Sequence, residues 1–172
     1  MKSLFLGSAA LLALAVSPAH AQQKSEEIIV TATGAPVMRS QSGQAVSVLT
    51  ADDIAVRQVV TVADLIAALP GASISRNGPL GGFSAVRIRG AEGEQTLALI
   101  DGVKVNDPAS PGGGFDFGSL LTDSVSRIEV LRGPNSVPWG SEAIGGVVNI
   151  VTASPEAGLS GSARAEYGYG DT

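Results

Sequence analysis

The segment TLALIDGVKVND, residues 96–107, constrains the fold more than any other stretch of the chain. An apolar run from Leu97 to Ile100 meets Asp101-Gly102, and Val103 and Val105 alternate with polar residues beyond it. Asp-Gly suits a type I′ turn, whose central residues both need positive φ and whose twist matches that of the strands it joins. The segment therefore predicts a β-hairpin.

Other short elements surround it. In AVSVLTADDI, Val46, Val48 and Leu49 read as a strand, and Thr50 can cap a short helical turn starting near Ala51. In TVADLIAALPG, Val62, Leu65, Ile66 and Leu69 recur at helical spacing. Thr61 can cap that helix, Asp64 stands where a capping box has glutamate, and Pro70-Gly71 ends it. AVRIRG puts Val86 and Ile88 on one side of a strand and Arg87 and Arg89 on the other. SRIEVLRGP alternates Ile128 and Val130 with Arg127 and Glu129, and GGVVNIVT reads as a buried strand from Val147 to Thr152. Two aperiodic glycine-rich stretches, 77–84 and 108–118, are loops. They are longer than a compact domain needs, which points to a role for them. The class is α+β, a small mixed sheet with short helices and long glycine-rich loops.

The first residues address the chain for export. Lys2 precedes a 13-residue apolar stretch, Leu4 to Val16, and Ala19-His20-Ala21 has the small-x-small pattern of a signal-peptidase site. A membrane-spanning helix needs about 20 apolar residues, so residues 1–21 read as a cleaved signal and the mature chain begins near Gln22. Loss of Lys2 moves the formal charge from −5 to −6. Without a basic patch, no nucleic-acid partner is expected. The chain has no cysteine, and its one histidine, His20, leaves with the signal. The usual zinc and copper ligands, the thiol nucleophile and the Ser-His-Asp arrangement are therefore missing from the mature sequence. No metal, cofactor or catalytic residue is expected, and no carboxylate pair is spaced for a hydrolase.

Two segments at the ends ask for partners. SEEIIVTATG, 25–34, carries an apolar, β-branched core within a polar tail that spans 22–42 and reads as flexible. LSGSARAEYGYG, 159–170, alternates Leu159, Ala163, Ala165, Tyr167 and Tyr169 with Ser160, Ser162, Arg164 and Glu166. That pattern fits a transmembrane β-strand with an apolar lipid face, a polar inner face and interfacial aromatics. One strand alone leaves its edges unpaired in lipid, so this reading makes the chain the front of something longer.

The stretches EEIIVTAT, VADLIAALPGASI, VRIRG, TLALIDGVKVND and SRIEVLRGPNSVPWGSEAIGGVVNIVT, in that order, resemble the N-terminal plug region of TonB-dependent outer-membrane receptors. The resemblance implies a plug domain over 43–156 and the first strand of an antiparallel transmembrane barrel over 157–172. Such a barrel has about 22 strands and needs several hundred further residues. It identifies residues 27–32 (Glu27, Ile28, Ile29, Val30, Thr31 and Ala32) as similar to the TonB box, which the periplasmic transducer TonB pairs with as an added strand. The alternative is that Ile28 to Val30 packs on the plug's own sheet, and both can hold in turn. Arg89 and Arg132 match family arginines that contact acidic side chains of the inner barrel wall. The loops with Asn77, Gly78, Gly81, Gly82 and Phe83, and with Gly112, Gly113, Phe115 and Phe117, match plug apices that face the transported ligand. LALIDGVKVND with WGSEAIGGVVNIVT is most similar to the cobalamin-receptor branch, with ferric-siderophore receptors or a free periplasmic plug-like binding module as alternatives. The implied location is the cell outer membrane, or the periplasm for a chain without a barrel. Pro138 departs from the pattern, because it cannot donate a backbone hydrogen bond there.

Overall fold

The computed structural model describes residues 28–29, 35–107 and 114–154. The signal, 1–21, and the expected barrel strand, 157–172, lie outside the described residues. In chain order the elements are β1 (Ile28–Ile29), β2 (Val37–Met38), β3 (Ala45–Thr50), α1 (Ala51–Arg57), α2 (Val62–Ala67), β4 (Ala72–Arg76) and β5 (Ser84–Ile88). The hairpin strands β6 (Thr96–Ile100) and β7 (Val103–Lys104) follow, then β8 (Val125–Arg132), the single-turn helix α3 (Ser136–Trp139) and β9 (Gly146–Thr152).

The hairpin turn has the geometry that its two residues favour, with φ of 50° at Asp101 and 81° at Gly102. Its strands belong to a five-stranded sheet in the order β3-β8-β9-β6-β7. β8 runs antiparallel to both β3 and β9, whereas β6 and β9 are parallel, so the sheet is mixed as expected. Both faces are covered. Leu49, Ala98, Ile128, Val130, Val148 and Ile150 share a core with Ile54 of α1, with Val62, Leu65 and Ile66 of α2, and with Val86 and Ile88 of β5. On the opposite face Val46, Leu97, Leu99, Leu131 and Val147 form a second cluster. Glu129 is fully buried there, its carboxylate 2.7 Å from the Arg127 guanidinium, which alternation alone did not foretell.

Local chemistry starts both helices. Thr50 and Asp53 make a full capping box: the Asp53 amide donates to the Thr50 hydroxyl at 3.3 Å, and the Thr50 amide to Asp53 Oδ2 at 3.0 Å. At α2 the Asp64 amide donates to the Thr61 hydroxyl at 3.2 Å, but Asp64 answers by accepting from that hydroxyl, at 2.6 Å, rather than from a backbone amide. Arg76 then ties the Asp64 carboxylate to the end of β4 at 2.7 Å.

β4 and β5 pair as a separate two-stranded sheet laid over the first core. Gly146 lets them approach: a Cβ there would sit 2.4 Å from the Leu131 carbonyl oxygen and 2.8 Å from Ile88 Cδ1. Two expectations need correction. Pro138 disturbs no strand pairing, because it lies in the first turn of α3, where a backbone donor is not required. Arg89 is not a strand residue: β5 ends at Ile88, and Arg89 turns into the left-handed region at φ 53°. Of the tail, Ile29 enters the second cluster and Val37 packs against it, while Met38 is exposed.

Candidate functional site

Ile29 is 0% exposed and belongs to the cluster of Val46, Leu97, Leu99, Leu131, Ala143 and Val147. Val37, Val48 and Trp139 pack against the same cluster. The backbone hold is short, since β1 pairs antiparallel with β2 only through Ile28 to Met38 and Ile29 to Val37. Just after β2, Arg39 Nη2 donates to the Val46 carbonyl at 3.3 Å, which anchors the segment to the edge of β3. Burying one isoleucine is worth about 1.5–3 kcal/mol, so the tail sits in a real but shallow energy well. Glu27, Val30, Thr31 and Ala32 lie outside the described residues.

Arg89 and Arg132, far apart in sequence, meet beside the turn that ends α2. The Arg89 amide donates to the Gly71 carbonyl at 2.7 Å, and Arg132 Nη1 donates to the Pro70 carbonyl at 2.8 Å. Gly133 keeps this corner open, since a Cβ there would stand 3.3 Å from Arg89 Nη1. Arg89 is exposed, and its guanidinium has no hydrogen-bond or ion-pair partner among the described residues. Arg132 Nε is buried without one. Two guanidinium groups thus share one corner, that of Arg89 exposed and that of Arg132 bonded to the turn after α2.

The two glycine loops are stitched side by side by a residue that sequence reading missed. Asp116 Oδ1 accepts from the amides of Ser84 and Gly118, both at 2.9 Å, while the Phe117 amide donates to the Ser84 carbonyl at 2.9 Å. The only sequence signal was an aspartate among glycines, the composition of a side-chain-to-backbone turn. The Asn77 amide closes the first loop onto the Phe83 carbonyl at 2.8 Å. Gly78 and Gly81 turn there at φ 95° and 86°, and Phe83 is 40% exposed. Gly82 lies against Gly118, where a Cβ would come within 2.0 Å of the Gly82 oxygen. Phe117, expected at the loop surface, is instead a core residue at 1% exposure, and half-buried Phe115 meets its ring edge-on with centroids 4.9 Å apart. The hydrophobic core outcompetes the loop for that ring. Gly112 and Gly113 lie outside the described residues.

The mixed-sheet fold has counterparts among known proteins. The profile described as TonB-dependent Receptor Plug Domain matches residues 39–147. The chain belongs to that family.

Among curated relatives of this plug-domain chain, the vitamin B12 transporter BtuB of Vibrio vulnificus strain YJ016 is 34% identical over 172 residues, covering 99% of this chain and 28% of its own length. BtuB of strain CMCP6 is 34% identical over 157 residues, with 90% and 25% covered. The plug-domain chain thus spans roughly a quarter of the length of these relatives. Among solved structures, a mutant ferric enterobactin receptor PfeA of Pseudomonas aeruginosa in complex with enterobactin aligns with a TM-score of 0.54 and 36% identity, covering 65% of this chain and 18% of that one. The siderophore receptor PirA of Acinetobacter baumannii aligns at 0.52 and 34%, with 63% and 17% covered.

Proposed function

We propose that the chain is the plug and energy-coupling tail of an outer-membrane importer, exported through its signal, that works without covalent chemistry. The tail is the segment handed to TonB in the periplasm. The observation that carries this reading is the β1 strand, an extended β-branched pair held by a two-residue partner and one buried isoleucine. Such a strand can leave its site at small cost and re-form its ladder on another protein, the mode in which backbone hydrogen bonds supply affinity. Arg89 and Arg132 would meet acidic side chains of the barrel wall, and the loops joined by Asp116 would face the ligand.

Cobalamin is the proposed ligand, because the curated relatives that the chain matches over nearly its full length are vitamin B12 transporters. A ferric siderophore is the second reading, favoured by the solved receptors with the same plug architecture. The test of the coupling role is calorimetry of a peptide spanning Glu26 to Thr33 with the C-terminal domain of TonB. The peptide is expected to bind and its Ile29→Pro form is not, since proline removes a ladder donor. Equal binding by both would count against strand addition. Cobalamin and a panel of ferric siderophores titrated against the receptor that carries this plug would decide the ligand.

A further inference from the structure

The wall of the tail pocket is tied to a neighbouring strand by an exposed ammonium group, beside the bond that the Ala143 amide donates to the Gly140 carbonyl at 3.1 Å. Trp139 packs against the cluster that contains Ile29, and it is the last residue of α3. The segment around α3 lies between Gly133 at φ 119° and Gly140 at φ 94°, conformations that glycine reaches without strain. Between them Ser136, Val137 and Pro138 are exposed, Val137 at 98%, so the segment has little core of its own to fix it. Its start is fixed by Asn135, whose amide donates to the Ala143 carbonyl at 2.8 Å and whose Nδ2 donates to the Gly133 carbonyl at 2.8 Å. Its far end is fastened to the central sheet by Lys104 Nζ on β7, which donates to the Trp139 carbonyl at 2.5 Å. A charged donor makes such a bond stronger than a neutral one.

We propose that residues 136–140 form a flap over the docked tail and that Lys104 is the positioning residue that keeps it shut. Lys104 acts through the Trp139 carbonyl. Shut, the flap completes the apolar wall around Ile29. Open, it lets water reach that pocket and the tail depart. The inference rests on the proposed role of the tail as the strand handed to TonB. Two residues beyond Lys104, Asn106 Oδ1 accepts from the Ala98 amide at 2.7 Å and Nδ2 donates to the Thr96 carbonyl at 3.3 Å, which ties the end of the hairpin to the strand that floors the pocket. A shift of β7 moves the Lys104 ammonium with it.

Hydrogen–deuterium exchange on the chain tests the latch, with Lys104→Met, Lys104→Arg and Trp139→Ala compared with wild type. Lys104→Met should speed exchange across Ile28–Ile29 by about tenfold, the worth of one charge-assisted hydrogen bond, and leave Val130 and Val148 unchanged. Lys104→Arg should restore the wild-type rate, because its guanidinium donates to the same carbonyl. Trp139→Ala should speed tail exchange at least as much as Lys104→Met. A wild-type tail rate in Lys104→Met overturns the latch, and so does equal acceleration in β8 and β9, which would mark general loss of stability. The TonB titration is read separately: failure of the tail peptide to bind would end the coupling role and leave the exchange result standing.

Discussion

Asp101 accepts two hydrogen bonds from Thr152, one from its amide at 2.8 Å and one from its hydroxyl at 2.7 Å. The first residue of the hairpin turn thereby grips the last residue of β9. The bond from the amide, then the one from the hydroxyl, hold the Asp101 carboxyl below its ordinary value near 3.8, with burial opposing them. A carboxyl depressed in the folded state contributes stability above its unfolded pKa, and that contribution is lost as pH falls through the folded one. Asparagine also tolerates the positive φ at this position, so Asp101→Asn isolates the charge. We predict that urea midpoints of wild type and Asp101→Asn differ at pH 6 and converge as pH drops below about 4. A gap that persists unchanged at pH 2.5 would remove the carboxylate from the grip.

Gly146→Ala is expected to destabilise the chain by about 1–3 kcal/mol, because the new methyl meets a backbone carbonyl and the tip of Ile88 in a packed interior. Gly43 is the control, since nothing lies within 4 Å of a Cβ built there. Gly43→Ala should be near neutral or slightly stabilising through the unfolded state. Equal urea midpoints for the two variants would contradict the close approach of β5 to β9.

Phe117→Ala should cost about 3–5 kcal/mol, as for other aromatic truncations in a core. Phe115→Ala, at a half-buried ring, should cost less. A lost ligand affinity in Phe117→Ala would therefore mean little until thermal melting shows that the variant is folded. Matching melting curves for Phe117→Ala and wild type would return Phe117 to the loop surface.

Ile29→Ala separates docking from capture. Removal of a buried isoleucine side chain costs about 2–5 kcal/mol, charged here to the docked tail alone. The tail of the intact variant should be cleaved faster by a nonspecific protease, while a tail peptide with the same change keeps most of its affinity for TonB, because backbone bonds carry it. Unchanged cleavage would mean that Ile29 does not anchor the tail.

The sequence announced the elements whose signals are local. Asp101-Gly102, the caps at Thr50 and Thr61, and the alternation around Val130 each act within a few residues. Contacts between distant segments were hidden. β4 offered only Ala72 and Ile74 alternating with serines, too short a pattern to stand out beside the glycine loop, and it is completed by pairing with β5. The parallel contact of β6 with β9 spans most of the second half of the chain and leaves no period behind. The site divided in the same way. The β-branched tail and the two arginines were visible as residue types, but their convergence depends on Pro70-Gly71 and Gly133. Asp116 and Lys104 were missed because each acts on backbone atoms of another segment, for which no spacing rule exists. Phe117 looked like a loop aromatic because glycines flank it, and only the folded core shows where its ring goes.

β3 and β9 both run antiparallel to β8, which lies between them, so they point the same way. A pull on the chain ahead of β3, against an anchor beyond β9, would slide these strands past one another along their length. The two ladders would then carry the load in series, but the bonds within each would be sheared together and give way only at high force. β1 and β2 meet the same pull differently, because their outer ends lie side by side and the two pairs peel open in turn. The topology acts as a mechanical fuse: tension drawn from the tail is spent first on the joint that re-forms most readily, and it reaches the sheet only after slack has been taken up.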